Sequence, residues 1–304
     1  MVIAAYNLVK MYSNSCVVDN ISFNIKKGAI FGFLGKNGAG KSTTIGMLTG
    51  ITIPTSGEIF IFDVPYKKLD NVKHKIGILP DTVNYYSELT ALEHLKYFSC
   101  LKGQKMNRSK LLTLLEKVNL GCYANKKVNK FSLGMKKKFG IAQAILGDPE
   151  LIFLDEPTAG LDPESAIEMW QLINDLASKE YTIFLTSHNL NEVEKICSTI
   201  SIMDKGKIVC FGTMKELRNQ FQQNIVIKID IENMGEEKTN TFAMSIDHLA
   251  LNITREKDCI LVILKDEMNV PEIIRKAENR GLKSYSIENK QIYLEQIYFQ
   301  TAKK

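Results

Sequence analysis

The chain has 304 residues, 45% hydrophobic and 24% charged, with a formal net charge of +5. That length admits two domains, or one large domain with an appendage, and the composition is that of an ordinary soluble globular protein. A mild positive charge carried mostly by scattered lysines predicts no nucleic-acid partner. Nor is any apolar run long enough to span a bilayer, and the first residues lack the features of a secretory leader, so a membrane role is expected only through a partner.

Residues 1–28 alternate apolar and polar, as in Cys16-Val17-Val18-Asp19-Asn20-Ile21-Ser22-Phe23, which predicts an antiparallel sheet turning at Lys26-Lys27-Gly28. Tyr12 stands ahead of that alternation, either as half-buried packing or as a ring that stacks on a nucleotide base. Ala29–Leu34 reads as a buried strand. It runs into Gly35-Lys36-Asn37-Gly38-Ala39-Gly40-Lys41-Ser42-Thr43, which fits the phosphate-loop pattern G-x-x-x-x-G-K-[ST], and Thr43–Gly50 reads as the helix that follows. Glycines let successive N–H groups turn inward toward phosphate oxygens, and the helix adds its positive end at the same place. Lys41 is predicted to reach the β- and γ-phosphates and Ser42 to ligate Mg²⁺.

Gly57–Phe62 predicts another strand, and Lys75–Asp81 a short one broken at Pro80, with the Asp81 carboxylate just beyond. From Thr90 to Gly147 apolar residues recur at helical spacing (Leu111, Leu112, Leu114, Leu115, Val118), predicting a mostly helical insertion. Within it, Ser132 in Phe131-Ser132-Leu133-Gly134-Met135 is an N-cap, or a helix start whose exposed N–H groups await an anion. The triplet Lys136-Lys137-Lys138 predicts a solvated helix face.

Leu151-Ile152-Phe153-Leu154 makes a buried strand with Asp155 and Glu156 at its mouth, where charge needs a cation or a task. Beside a phosphate loop, Asp155 would hold Mg²⁺ directly or through water and Glu156 would polarise an attacking water. The plain alternative is an acidic turn closed by Pro157. A tight loop, Thr158-Ala159-Gly160-Leu161-Asp162-Pro163, leads into a helix over Glu164–Leu176. Thr182–Ser187 is a further buried strand, and His188 at its end sits where ligands bind in an α/β sheet, able to donate to a γ-phosphate. His74, His94 and His248 are read as structural.

Thr199–Asp204 and Lys207–Phe211 pair around Lys205-Gly206 and close this domain. Beyond Leu217 a small α+β appendage is predicted: strands at Asn224–Ile231, Thr241–Ile246 and Cys259–Leu264, a loop at Glu232–Asn240, and helices at Val270–Arg280 and Leu294–Ala302. Six cysteines (Cys16, Cys100, Cys122, Cys197, Cys210, Cys259) without a C-x-x-C pair predict the reduced, buried thiols of a cytoplasmic protein.

Together and in this order, the motifs resemble the ATP-binding subunit of ABC transporters. Gly35–Thr43 resembles the Walker A loop, Leu151–Asp155 with Glu156 resembles Walker B and its catalytic glutamate, and Gly160–Pro163 resembles the D-loop with Asp162. His188 matches the switch histidine, Tyr12 the adenine-stacking position, and Phe131–Met135 the signature, keeping Ser132 and Gly134. Two departures, Leu133 and Met135 in the signature and Asp81 at the Q-loop glutamine, resemble the branch of exporters that handle drugs, peptide antibiotics and other hydrophobic cargo. So does the ending Ile292–Phe299. An aspartate offers only acceptors, which makes Asp81 a metal-site candidate.

The resemblance implies an α/β P-loop fold of ABC type over residues 1–220: a parallel-core sheet, a flanking antiparallel β subdomain and a helical subdomain at about 88–148. Residues 221–304 would be an accessory α+β domain. It also implies ATP and Mg²⁺ as cofactors, and a second copy pairing head to tail so that Ser132 and Gly134 meet the partner's nucleotide. The remaining partner would be an integral-membrane permease holding the chain at the cytoplasmic face of the membrane. The rivals are a soluble ABC-type ATPase acting on ribosomes or DNA, an importer subunit, and a phosphate-loop kinase or small-molecule transferase. A kinase has no need of Ser132-Gly134, a D-loop and His188 in this order.

Overall fold

The apolar run Ile30–Leu34 becomes a strand with every residue buried, and the larger sheet is built outward from it. The computed structural model describes residues 1–82, 84–178, 181–221, 225–230, 236–255, 259–264, 267–279 and Leu294. They divide into two units, the first containing Met1–Met214 and the second Lys215–Ile297.

The first unit begins with β1 (Ile3–Tyr12) and β2 (Ser15–Ile25), followed by β3 (Ile30–Leu34), α1 (Lys41–Leu48), β4 (Ser56–Ile61), β5 (Val64–Pro65) and β6 (Ile76–Leu79). Three helices come next, α2 (Ala91–Leu101), α3 (Arg108–Lys117) and α4 (Leu133–Ala144). The chain then alternates through β7 (Leu151–Leu154), α5 (Pro163–Ala177), β8 (Thr182–Ser187), α6 (Leu190–Val193), β9 (Thr199–Asp204) and β10 (Lys207–Gly212). One sheet has the order β10-β9-β3-β8-β7-β6, parallel except for the β9–β10 hairpin. Its strands read as continuous apolar runs because both faces are covered. Parallel pairing also puts the ends of β3, β6, β7 and β8 along one edge, where ligands bind in such sheets.

The second sheet, β2-β1-β4-β5, is antiparallel, as the alternation of residues 1–28 predicts. The two sheets share a core in which Phe23 of β2 stacks on Phe31 at 5.8 Å and Phe184 lies 5.2 Å from Phe31. Each such buried ring contributes about 1.5–3 kcal/mol. The helices between Thr90 and Gly147 start where the sequence supplies caps. Thr90 and Glu93 form a reciprocal capping box on α2, and Asn107 and Ser132 cap α3 and α4 through their side-chain oxygens. The expected mixed α/β architecture is therefore present.

The second unit contains β11 (Ile225–Asp230), α8 (Glu236–Ile246), β12 (Asn252–Arg255), β13 (Cys259–Leu264) and α9 (Val270–Glu278), with α7 (Met214–Phe221) at its start. Its sheet is β11-β13-β12, antiparallel, over a core of Ile227, Ile229, Phe242, Ile246, Ile260, Val262, Leu264 and Ile273. Two expectations fail here. Thr241–Ile246 is the last part of α8, not a strand, and residues 236–240 of the expected loop are its first turns. Thr239, Phe242 and Ile246 are the buried positions, a 3.6-residue period that six residues in isolation do not distinguish from alternation. The strand β12 had no counterpart in the sequence reading, since it is short and only Ile253 is apolar. The expected helix Leu294–Ala302 and the ending Ile292–Phe299 lie outside the described residues except for Leu294, which is helical and buried. The cysteines divide equally: Cys197, Cys210 and Cys259 are buried, whereas Cys16, Cys100 and Cys122 are exposed, and all six are free.

Candidate nucleotide-binding site

The glycine loop leaves β3 at Leu34 and enters α1 at Lys41. At Gly35 a Cβ would fall 2.3 Å from the Met203 carbonyl oxygen. At Gly40, where φ is +109°, it would fall 2.6 Å from the Val17 carbonyl oxygen. Only glycine fits at either place. The β9–β10 turn braces the loop: Gly206 N–H donates to Ala39 O at 3.0 Å, and Gly206 O accepts from Asp19 N–H at 2.8 Å. No side chain caps α1, so its first N–H groups remain directed at the loop's concave side. The Lys41 ammonium is 6% exposed and donates to Gly35 O at 2.7 Å, and Ser42 beside it is exposed.

The carboxylates sit at the end of β7. Asp155 is 8% exposed, and its Oδ1 accepts the Thr186 hydroxyl at 2.5 Å. The same hydroxyl accepts Glu156 N–H at 2.9 Å. Glu156 has φ +48°, a left-handed conformation that a side chain other than glycine adopts only when its surroundings impose it. Lys41 Nζ lies 3.2 Å from Glu156 Oε1 without the alignment of a hydrogen bond, so that contact is chiefly electrostatic. Glu156 Oε2 stands 2.8 Å from His188 Nδ1. A carboxylate only accepts, which places the imidazole hydrogen on Nδ1.

The lysine triplet is not the solvated face that its charge predicts. Lys137 is 6% exposed and donates to Glu156 O at 2.9 Å and Asp81 O at 3.1 Å, with Asp81 Oδ1 at 3.5 Å. Lys138 pairs with Glu168. Helical periodicity is the signal that points the other way: Lys137 lies one turn before Gly140, whose Cβ would meet Leu79 of β6.

Lys36, Asn37, Gly38, Gly40, Lys41, Ser42 and Thr43 line a cavity of about 210 Å³ together with Val17, Asp81 and Glu156. The structure thus brings the glycine loop, Asp81 and Glu156 together, with Asp155 and His188 joined to them through Thr186 and Glu156. Tyr12, Ser132, Gly134 and Asp162 are not among the lining residues. Tyr12 ends β1, 48% exposed, with Lys10 Nζ 4.8 Å from its ring centre. Ser132 caps α4 by accepting Met135 N–H at 3.3 Å, and Asp162 caps α5 by accepting Ser165 N–H at 2.9 Å. The latter bond holds the Asp162 carboxyl below its ordinary range. These two segments adjoin, since a Cβ on Gly134 would be 3.3 Å from Ser165 Oγ and one on Gly160 would be 3.1 Å from Leu133 Cδ2. Val17, Lys137 and Thr186 are the site residues that sequence reasoning did not single out.

A phosphate loop opening on a paired lysine and glutamate, at the edge of a mainly parallel sheet, defines a P-loop ATPase. The ABC transporter family model matches residues 18–159. The chain is 43% identical over 210 residues to the bacitracin transport ATP-binding protein BcrA of Bacillus licheniformis, covering 68% of each. It is 36% identical over 249 residues to the linearmycin resistance ATP-binding protein LnrL of Bacillus subtilis, covering 81% of this chain and 79% of that one. Against ABC transporter A family member 9 of Dictyostelium discoideum, 39% identical over 219 residues, it spans about a quarter of the relative's length, 26%. Among solved structures, an ATP-binding subunit of an ABC transporter superposes with a TM-score of 0.65 at 29% identity, over 73% of this chain and 94% of that one. A bacterial ABC transporter cassette solved as a dimer superposes with a TM-score of 0.64 at 26% identity, over 69% and 98%. The chain belongs to the ABC transporter ATP-binding family, and it is an ATPase of that family.

Proposed function

We propose that this ATPase powers a separate integral-membrane permease that exports a drug, a peptide antibiotic or other hydrophobic cargo, docked at the cytoplasmic face of the membrane. The likeness to a bacitracin transport protein and a linearmycin resistance protein supports the export reading. Among the described residues no helix is long and apolar enough to cross a membrane. Residues 1–220 carry the ATPase, with a helical subdomain at about 88–148 facing the permease, and 221–304 are accessory.

The observation that carries the catalytic reading is Glu156, held between Lys41 at 3.2 Å and His188 at 2.8 Å on the rim of the loop cavity. Gly35–Thr43 bind the triphosphate through main-chain N–H groups, and Lys41 moves its charge from Glu156 to the phosphates. Glu156, freed of that pairing, accepts the proton of the attacking water as His188 orients it. Hard oxygen donors suit Mg²⁺, and Ser42, Asp155 and Asp81 are the residues that would hold it to neutralise phosphate charge. Nucleotide oxygens and water would supply the rest of its ligands.

The cavity is smaller than the roughly 300–1,000 Å³ of pockets that enclose a whole ligand. A second copy, bringing Ser132, Gly134 and Asp162 to the open side, closes the site, and Tyr12 stacks on the adenine. Replacing Glu156 by Gln is expected to lower turnover at least about 100-fold with ATP binding retained. Near-normal hydrolysis in that variant removes Glu156 from the role of base. Purification of the intact chain with an integral-membrane protein supports the transport reading, whereas recovery with ribosomes or DNA opposes it.

A further inference from the structure

The β6–β7 ladder ends at the bond from Asp155 N–H to Leu79 O. Past it, the chain carries Asp81 two residues on from Leu79 and Glu156 one residue on from Asp155, and no main-chain bond joins them. The Lys137 ammonium fills that gap. It has three N–H donors and three acceptors around it, two main-chain carbonyls and one carboxylate oxygen, and it is almost wholly withdrawn from water. A buried ammonium so placed is fixed in position, and so are the carbonyls it holds.

Glu156 needs such holding. Its left-handed backbone is pinned on the N–H side by the Thr186 hydroxyl at 2.9 Å and on the carbonyl side by Lys137 at 2.9 Å, with the Ala159 N–H of its own turn at 3.2 Å. With both ends of the residue held, the Cα–Cβ bond is fixed in direction, and the side chain leaves toward Lys41 and His188. Lys137 also lies on α4, the helix that Ser132 caps five residues earlier.

We infer that Lys137 is a positioning residue for hydrolysis: it sets the backbone of Glu156, ties it to the Asp81 segment, and makes the angle of the carboxylate depend on α4. A shift of α4 at its Ser132 end therefore reaches Glu156 of the same chain through one side chain. This rests on Glu156 being the general base.

The test is a kinetic double-mutant cycle on the full chain, with single-turnover ATP hydrolysis and nucleotide binding as readouts. Lys137→Met keeps the length and removes the donors. It is expected to lower the hydrolysis rate about 10–100-fold, with ATP affinity within about twofold of the parent, the size of effect that a small displacement of a catalytic group produces. Lys137→Arg, which keeps charge and donors, is expected to recover most of the rate. In a Glu156→Gln background, Lys137→Met should change the residual rate little, because its effect passes through the carboxylate. A Lys137→Met protein with the parent's rate overturns the inference, as does an equal loss in both backgrounds. If Lys137→Met does not fold, Lys137→Gln, which retains a donor for one carbonyl, enters the same cycle under the same criteria. Should Glu156→Gln itself hydrolyse ATP normally, the base assignment and this inference both fail. A dead Glu156→Gln with an unaffected Lys137→Met removes the inference alone.

Discussion

The hydroxyl of Thr186 donates to Asp155 and accepts from Glu156 N–H, so one fully buried oxygen aligns both acidic residues of the site. Valine has the same shape and neither capability. Thr186→Val should lower unfolding stability by about 1–3 kcal/mol, the range for a buried polar group left without its partner. Urea denaturation reads this directly, and Thr186→Ser should return most of it. The sequence could name Glu156, because an acidic pair at the end of an apolar strand has few structural uses. It could not name Thr186 or Lys137: a threonine in Thr182–Ser187 reads as strand filler, and a lysine among lysines reads as surface. What gives those residues their roles is a tertiary approach between β7, β8 and α4, for which local pattern carries no signal.

Among the elements, α2 couples its cap to a buried histidine. His94 has no solvent exposure, accepts Tyr86 N–H through Nε2 at 3.0 Å, and sets Nδ1 3.2 Å from Thr90 O. Burial pushes its pKa down, partly offset by the bonds to Thr90 and Leu89 and by the charge of Glu93. The folded protein thus holds the imidazole neutral where the unfolded chain would protonate it. The associated stability is complete above the ordinary histidine pKa of about 6.5 and is lost as pH falls below it. The melting temperature should drop between pH 7 and pH 5, and His94→Gln should show a smaller drop; equal drops would discount His94 as the cause. The helical character of Thr90–Gly147, which holds α2, α3 and α4, was legible in the apolar period, as was the helix α5. The helix α8 was not, because the loop reading of Glu232–Asn240 stripped it of its polar first turns and left a fragment too short to show a period.

For the molecule as a whole, the order of motifs carried the fold of the first unit, since the glycine loop, Asp81, Asp155-Glu156 and His188 each follow a strand of the parallel sheet, and Ser132 and Asp162 each start a helix. What it left open is how far a single chain completes the site, and here the proposed pairing makes a measurable claim. Glu156→Gln protein with ATP and Mg²⁺ should elute at twice the mass it shows without nucleotide; a monomer at saturating ATP would count against head-to-tail closure. The strand order has a different consequence, in time rather than in space. Because β3 lies between β8 and β9, the residues that flank the glycine loop are made long after the loop itself. Roughly 150 residues separate them, about 8–30 s of synthesis at 5–20 residues per second. Throughout that interval the strand that carries Phe31 and Phe33, both buried in the finished protein, has neither of its pairing strands, and the turn at Gly206 that braces Ala39 does not yet exist. A chain stopped before Thr199 carries the whole nucleotide motif and lacks both the strand beside β3 and the turn that holds the loop in shape.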